Sequence, residues 1–372
     1  MDNEQPIFVT KPYLPPLDSI TPYLESIWEK KILTNSGPLH NLLEERLAGY
    51  LGVPHVSLFS NATLALIVAL RVLRLDGEVI TPAFSFVATS QAITWNNLVP
   101  VFADIRDSDY CLDPCSVISK ITPRTSAILS DQCYGNPGPV DDLQRIAEDY
   151  NLNLVYDAAH SFGVNCDCGS ATLHGDLSIL SFHATKVFNT FEGGAIICKD
   201  KSTKKKIDRL KNFGFVTEEI VASSGINAKM SEINAAIGLA QLDYINKAIL
   251  ERKEIAEAYI AELDKVDCIQ LPSFYASVTK HNYAYFPIRV IPGNAFDRDT
   301  LFTRLREKNI FARKYFCPLI SDFQYFKGYA NDNVGLEHSA KASKEVLCLP
   351  IYPGMTPSEQ ERVVSAIKEG CK

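Results

Sequence analysis

Short apolar runs alternate with helical patterns through the first two thirds of this chain. Glu78-Val79-Ile80-Thr81, Val99-Pro100-Val101-Phe102, Ser126-Ala127-Ile128-Leu129 and Leu152-Asn153-Leu154-Val155-Tyr156 have the length and character of strands. Ser178-Ile179-Leu180-Ser181-Phe182 and Ala195-Ile196-Ile197-Cys198 continue the series. Between them the pattern predicts helices over 63–73 and 140–150. Strands buried on both faces and separated by helices predict an α/β fold with a mostly parallel sheet, since crossover helices cover both faces.

Two further helical patterns, 230–243 and 249–263, lead into a region of different character. There 283–290 reads as a strand and 299–308 as a helix. A closing helix is predicted over 357–368, with Thr356 as N-cap and Pro357 in the first helical position, where its missing N–H costs nothing. This divides the chain into an N-terminal arm (1–29), a large domain (30–247) and a smaller α+β C-terminal domain (248–372). Pro12, Pro15 and Pro16 predict that the arm is extended.

Composition narrows the class. A hydrophobic content of 46% supplies a sizeable core. No apolar run approaches the roughly 20 residues needed to span a bilayer. The start Met1-Asp2-Asn3-Glu4-Gln5 is acidic and polar, unlike a secretory signal. A cytoplasmic enzyme with no membrane partner is expected. A net charge of -7 argues against a nucleic-acid partner. The one basic run, Lys199 to Lys211, reads as the solvated face of a helix whose inward positions include Ile207 and Leu210. Of ten cysteines, only Cys111/Cys115 and Cys166/Cys168 are closely spaced, and neither repeats as a paired CxxC. Reduced structural thiols are expected, with no metal site.

The chemistry-bearing residues begin with Lys186, in Ser181-Phe182-His183-Ala184-Thr185-Lys186 after an apolar strand. Alone it reads as a surface lysine. Asp157 closes the strand Leu154-Val155-Tyr156-Asp157, and a strand's C-terminal end points into the crevice where α/β sheets bind ligands. Alone it reads equally as a helix cap. Together the two suit pyridoxal 5′-phosphate (PLP): a carboxylate keeps the pyridine nitrogen protonated, and a lysine reaches the aldehyde. Ser60-Asn61-Ala62-Thr63 opens a helix apolar all round, and such a helix start offers free N–H groups to a phosphate. Many helices begin this way without a ligand. Phe84 or Phe86, in Thr81-Pro82-Ala83-Phe84-Ser85-Phe86, offers a ring face to a flat cofactor, or simply packs in the core.

Taken in order, SNATLAL, TPAFSFVAT, YDAAH, SFHATK, EGG and GINAKMSEINAAIG resemble the DegT/DnrJ/EryC1/StrS family of PLP-dependent sugar aminotransferases. The resemblance implies PLP fold type I, with a large mostly parallel sheet domain and a smaller C-terminal α+β domain. It also implies a homodimer with two shared active sites. Lys186 matches the family's cofactor-bearing lysine and Asp157 its pyridine-nitrogen partner. His160 matches the residue near the cofactor's phenolic oxygen, and Phe86 the stacked ring. The amides of Ala62 and Thr63, with the Ser181 hydroxyl, match the phosphate site, which Asn227 would reach from the partner subunit. Lys229, Tyr315 and His183 match substrate-facing positions.

Phe182-His183 before the lysine and Glu192-Gly193-Gly194 after it resemble relatives acting at C4 of a sugar. The longer string FHATKVFNTFEGGAI, with VTKPYLPPL near the N-terminus and NYAYFPI later, resembles relatives whose acceptor is dTDP-4-keto-6-deoxyglucose, which implies L-glutamate as amino donor and a surface polysaccharide such as O-antigen as destination. A 3-keto or UDP-linked acceptor is the alternative, and a non-catalytic nucleotide-sugar-binding regulator the reading from another class. The chain departs from the family pattern at Ala62, where Gly is common, and at Asp131-Gln132-Cys133-Tyr134-Gly135, which replaces a Val-His-rich loop. Ala62 is compatible with the site only if its φ is negative.

Overall fold

The computed structural model describes residues 5–272, 278–293, 296–329 and 334–371. Met1-Asp2-Asn3-Glu4 lies outside the described residues. The centre is a seven-stranded sheet ordered His55–Phe59, Gly194–Cys198, Leu177–Ser181, Asn153–Asp157, Thr125–Asp131, Glu78–Pro82 and Val99–Ala103. The last five pair in parallel, while Gly194–Cys198 runs antiparallel to both its neighbours. All six strands expected from the apolar runs are present. His55–Phe59 lies outside that series because His55 and Ser57 break its apolar run; the buried Ser57 hydroxyl donates to Asp208 at 2.9 Å and accepts from Lys204 at 3.4 Å.

Helices cover both faces of the sheet. Ala62–Val72 packs a core with Val79, Leu129, Val155 and Ile196, while Val140–Asp149 covers the other face against Ile80, Ile128 and Leu154. The basic run forms Lys201–Leu210, capped by Asp200, with Ile207 buried and Lys201, Lys205 and Lys206 turned to solvent; Lys211 departs from the solvated-face expectation, being buried where it and Lys204 pair with Glu44 and Asp208.

Two expectations are corrected. Residues 17–30 are not extended: Leu17–Lys30 is a helix that starts where the prolines stop, with Pro16 as its N-cap. Ile20 and Ile27 are buried, with Tyr23 and Leu24 packing between them, an i, i+3, i+4, i+7 pattern that the prolines overshadowed. The two helical patterns at 230–243 and 249–263 are one helix, Glu232–Leu263. Its buried face continues through Ile245 and Ala248, so nothing breaks it, and residue 247 falls inside it.

The C-terminal region packs a second core. The three-stranded antiparallel sheet Ile269–Gln270, Phe286–Val290 and Val346–Leu349 is covered by Arg298–Glu307 and Pro357–Gly370. Thr356 and Glu359 cap the last helix reciprocally, as the sequence predicts. That helix carries Cys371 to Cys268, and the two form a disulfide across 103 residues of sequence. This corrects the expectation of wholly reduced thiols, since no local spacing announces so distant a pair. The other eight cysteines are free. Among the described residues, no helix is long and apolar enough to cross a membrane.

Candidate active site

Strand ends and one helix start converge on a cavity of about 380 Å3. Asp157 enters it from the C-terminal end of Asn153–Asp157 and is buried. The Thr89 hydroxyl donates to its Oδ2 at 2.7 Å and the Ala159 amide to its Oδ1 at 3.2 Å, so the carboxylate is fixed in direction. Burial raises its pKa, while these two bonds and the Lys186 charge pull the other way.

Lys186 enters from the turn after Leu177–Ser181, and its Nζ donates to the Tyr285 hydroxyl at 3.2 Å. Burial lowers its pKa to about 8, against the opposing influence of Asp157 and Tyr315. His160 is held neutral: burial, helped by Lys186, pushes its pKa well below the usual range. The Tyr134 amide donates to its Nδ1 at 3.2 Å, which leaves Nε2 to carry the ring proton.

The helix start lies opposite. Asn61 caps Ala62–Val72 by accepting from the Leu64 amide, and Ala62 and Thr63 line the cavity from the first turn. Ala62 lies in the helix and is not among the positive-φ residues, so the Ala for Gly exchange is accommodated. Glycine is demanded instead at position 194. A Cβ there would stand 2.7 Å from the Ala62 nitrogen and 2.8 Å from its Cα. Gly194→Ala is expected to cost about 1–3 kcal/mol, because backbone rather than a flexible side chain must yield. A urea midpoint equal to wild type would show that the helix start is not held this way.

Phe86, 58% exposed, and the buried Ser181 also line the cavity. His183 bonds Thr185 and lies 3.7 Å from Glu192 at the mouth, and Tyr315 closes the far wall. Nine of the sequence-nominated residues thus meet in one cavity: Ala62, Thr63, Phe86, Asp157, His160, Ser181, His183, Lys186 and Tyr315. Asn227 and Lys229 do not line it. They bond each other at 2.7 Å beside Asn212, with the Lys229 ammonium over the Phe213 ring.

Asp131, Tyr285 and Arg313 also line the cavity and were not nominated. Asp131 pairs with Asp157 in register on the neighbouring strand, a relation only strand order reveals. Burial raises the Asp131 pKa well above the usual carboxylate range, opposed by Ser85 and reinforced by Asp157. Tyr285 comes from the C-terminal sheet region, whose approach to Lys186 no local pattern encodes. A second cavity of about 370 Å3 adjoins the first, sharing Ser85, Phe86, Arg313, Tyr315 and Phe316, and adds the cations Arg306 and Lys314.

This arrangement belongs to aminotransferases: residues 18–368 match the DegT/DnrJ/EryC1/StrS aminotransferase family, and the chain is a member of it. Among its relatives, the dTDP-4-amino-4,6-dideoxy-D-glucose transaminase of Shigella dysenteriae is 47% identical over 98% of this chain and 99% of its own. The fold matches DesI, solved in the presence of its TDP-sugar product, with a TM-score of 0.93 and 33% identity over 99% of this chain and 93% of that one. NtdA from Bacillus subtilis, solved with bound cofactor PMP, matches with a TM-score of 0.87 and 29% identity, covering 100% of this chain and 87% of that one.

Proposed function

We propose that this chain is a PLP-dependent aminotransferase that moves the amino group of L-glutamate to C4 of dTDP-4-keto-6-deoxyglucose, giving dTDP-4-amino-4,6-dideoxyglucose. The observation that carries the reading is the convergence of Lys186, Asp157 and the Ala62–Thr63 helix start on one cavity. The donor set fits PLP. Asp157, already oriented by Thr89 and Ala159, is placed for the pyridine N–H. The amides of Ala62 and Thr63 and the Ser181 hydroxyl suit the phosphate. Phe86 offers a ring face, and the Nε2 proton of His160 suits the phenolic oxygen.

When bound, the cofactor supplies an electron sink for charge developing at carbon. The residues supply the rest. Lys186 Nζ, with its lowered pKa, takes a proton from Cα of the amino donor and, in the second half-reaction, gives one to C4 of the sugar. Tyr285, bonded to Nζ, orients the amine. Arg313 places a positive charge between the two cavities, where the donor's carboxylates or the sugar's diphosphate can be met. Tyr315 and His183 bound the sugar side of the cavity.

The amine must be neutral to react. Capture of PLP on Lys186 by cofactor-free protein, fixed with borohydride after a short exposure, should therefore rise with pH and reach half its maximum near pH 8. An unburied lysine would give a midpoint above 10.

Asn227 and Lys229 lie outside the chain's own cavity, which supports a homodimer in which they reach the partner's site. The hairpin before them exposes Phe215, Val216, Ile220 and Val221 on either side of a Glu218-Glu219 turn, and those apolar side chains suit a surface covered by a second copy. We place the boundary between large and small domains at 247/248, the enzyme in the cytoplasm, and its product in a surface polysaccharide. The test is glutamate-dependent release of 2-oxoglutarate with a panel of keto sugars. The dTDP-linked 4-keto sugar should give the highest kcat/KM. A 3-keto or UDP-linked sugar outrunning it would reassign the acceptor, and no release with any would refute the transferase reading.

A further inference from the structure

The hairpin formed by Asn165–Cys166 and Gly169–Ser170 places two cysteines on either side of Asp167, and a short turn returns His174 to the same point. The Sγ atoms of Cys166 and Cys168 are 2.9 Å apart, and the His174 Nε2 stands 3.2 Å and 3.5 Å from them. Among the described residues, this is the one group of three or more such side chains whose donor atoms lie close enough to share an ion. None of the three lines the cavity of Lys186.

The geometry points to a metal site here: Cys166, Cys168 and His174 bind a soft or borderline d10 cation of the zinc class, with the fourth position taken by water. Two sulfurs and one imidazole are the donor set that such ions select over hard cations. Cys168 is exposed and His174 half-buried, which gives an ion a path in and leaves one side open to water. Tetrahedral bonds of about 2.3 Å to sulfur need an Sγ–Sγ distance near 3.8 Å. The present 2.9 Å between the sulfurs, and the 3.2 Å from Cys166 Sγ to His174 Nε2, are each shorter than that geometry, so the three donors spread by less than about 1 Å on binding.

The support around the donors is built rather than accidental. The carbonyl of His174 accepts from the Ser178 hydroxyl at 3.2 Å. The next residue, Gly175, has φ +67, and a Cβ on it would lie 2.6 Å from the Leu154 carbonyl oxygen, so the loop is seated directly on the central sheet. On the other side Cys166 is in register with Val278 of Val278–Lys280, so the hairpin is held from both domains. Each thiol that ligates gives up its proton to solvent, and no electron is exchanged.

The rival is a Cys166–Cys168 disulfide. The test uses the untagged full chain, loaded with its cofactor and kept in a non-thiol reductant. Cobalt(II) added as the probe should produce the visible d–d bands of a tetrahedral thiolate site, clear of the cofactor's own absorbance. The bands should saturate at one equivalent per chain, and zinc should abolish them. His174→Ala and the exposed-site variant Cys168→Ser should each weaken cobalt binding by more than about 100-fold, the upper end for loss of a merely supporting residue. Cys115→Ser should leave it unchanged. Absence of the bands with both thiols reduced overturns the site, as do bands that persist in both ligand variants. A Cys166–Cys168 disulfide that survives the reductant also overturns it.

Discussion

Lys186→Ala is expected to lower kcat by at least about 10^4-fold, the upper range for loss of a positioned acid–base group. The protein should still hold its cofactor without a covalent bond, because Asp157 and the Ala62–Thr63 helix start remain. Lys186→Arg should be no better, since a guanidinium stays protonated at any working pH and cannot take a proton. Release of 2-oxoglutarate measures the loss, and far-UV circular dichroism shows whether the fold is kept. Activity within tenfold of wild type in either variant would remove Lys186 from the chemistry.

The same residue carries a signature in stability. In the cofactor-free protein its pKa is about 8 against an ordinary 10.5, so folding is penalised wherever the amine is charged in the unfolded chain. The penalty is fully present below pH 8 and disappears as pH rises through 10.5. It amounts to about 3 kcal/mol at neutral pH. Lys186→Met, which fills the same space without the charge, should therefore be more stable than the cofactor-free wild type at pH 7, by a margin that closes toward pH 10.5. Equal stability at pH 7 would mean that the ammonium is solvated.

Asp157→Asn is expected to reduce kcat by about 10^2- to 10^4-fold, the 3–5 kcal/mol that a buried charge loses with its partner. Asparagine can still accept from Thr89 or Ala159, so the fold should be unaffected. The variant should also drop the Lys186 pKa further below 8, because Asp157 is the larger of the two influences that hold it up. A kcat within fivefold of wild type would show that the cofactor ring is not activated through this carboxylate.

Much of this site was legible because its parts fall at the ends of regular elements. Asp157 closes an apolar strand and Lys186 follows another, and a parallel sheet brings such ends to one crevice. The order of strands was less legible. The strand His55–Phe59 at the sheet's edge pairs with Gly194–Cys198 across more than 130 residues, which periodicity does not encode. The double glycine of Glu192-Gly193-Gly194 was visible as a motif, but its reason, the backbone of Asn61 and Ala62 pressed against Gly194, was not.

Residues from other layers escaped for the same reason. Tyr285 and Arg313 arrive from the C-terminal region, 99 and 127 residues beyond Lys186 in sequence. His174 joins Cys166 and Cys168 only because a hairpin and a glycine turn fold it back. The disulfide of Cys268 with Cys371 closes 103 residues, a span over which sequence spacing carries no signal.

The most direct test of the central claim follows the nitrogen itself. The protein, PLP, 15N-labelled L-glutamate and dTDP-4-keto-6-deoxyglucose are incubated together, and the sugar product is read by NMR. The account predicts 15N bonded to C4 of a dTDP-linked 4,6-dideoxy sugar, with none formed by Lys186→Ala. Label at C3, or an unlabelled sugar recovered from protein that holds PLP, would contradict it.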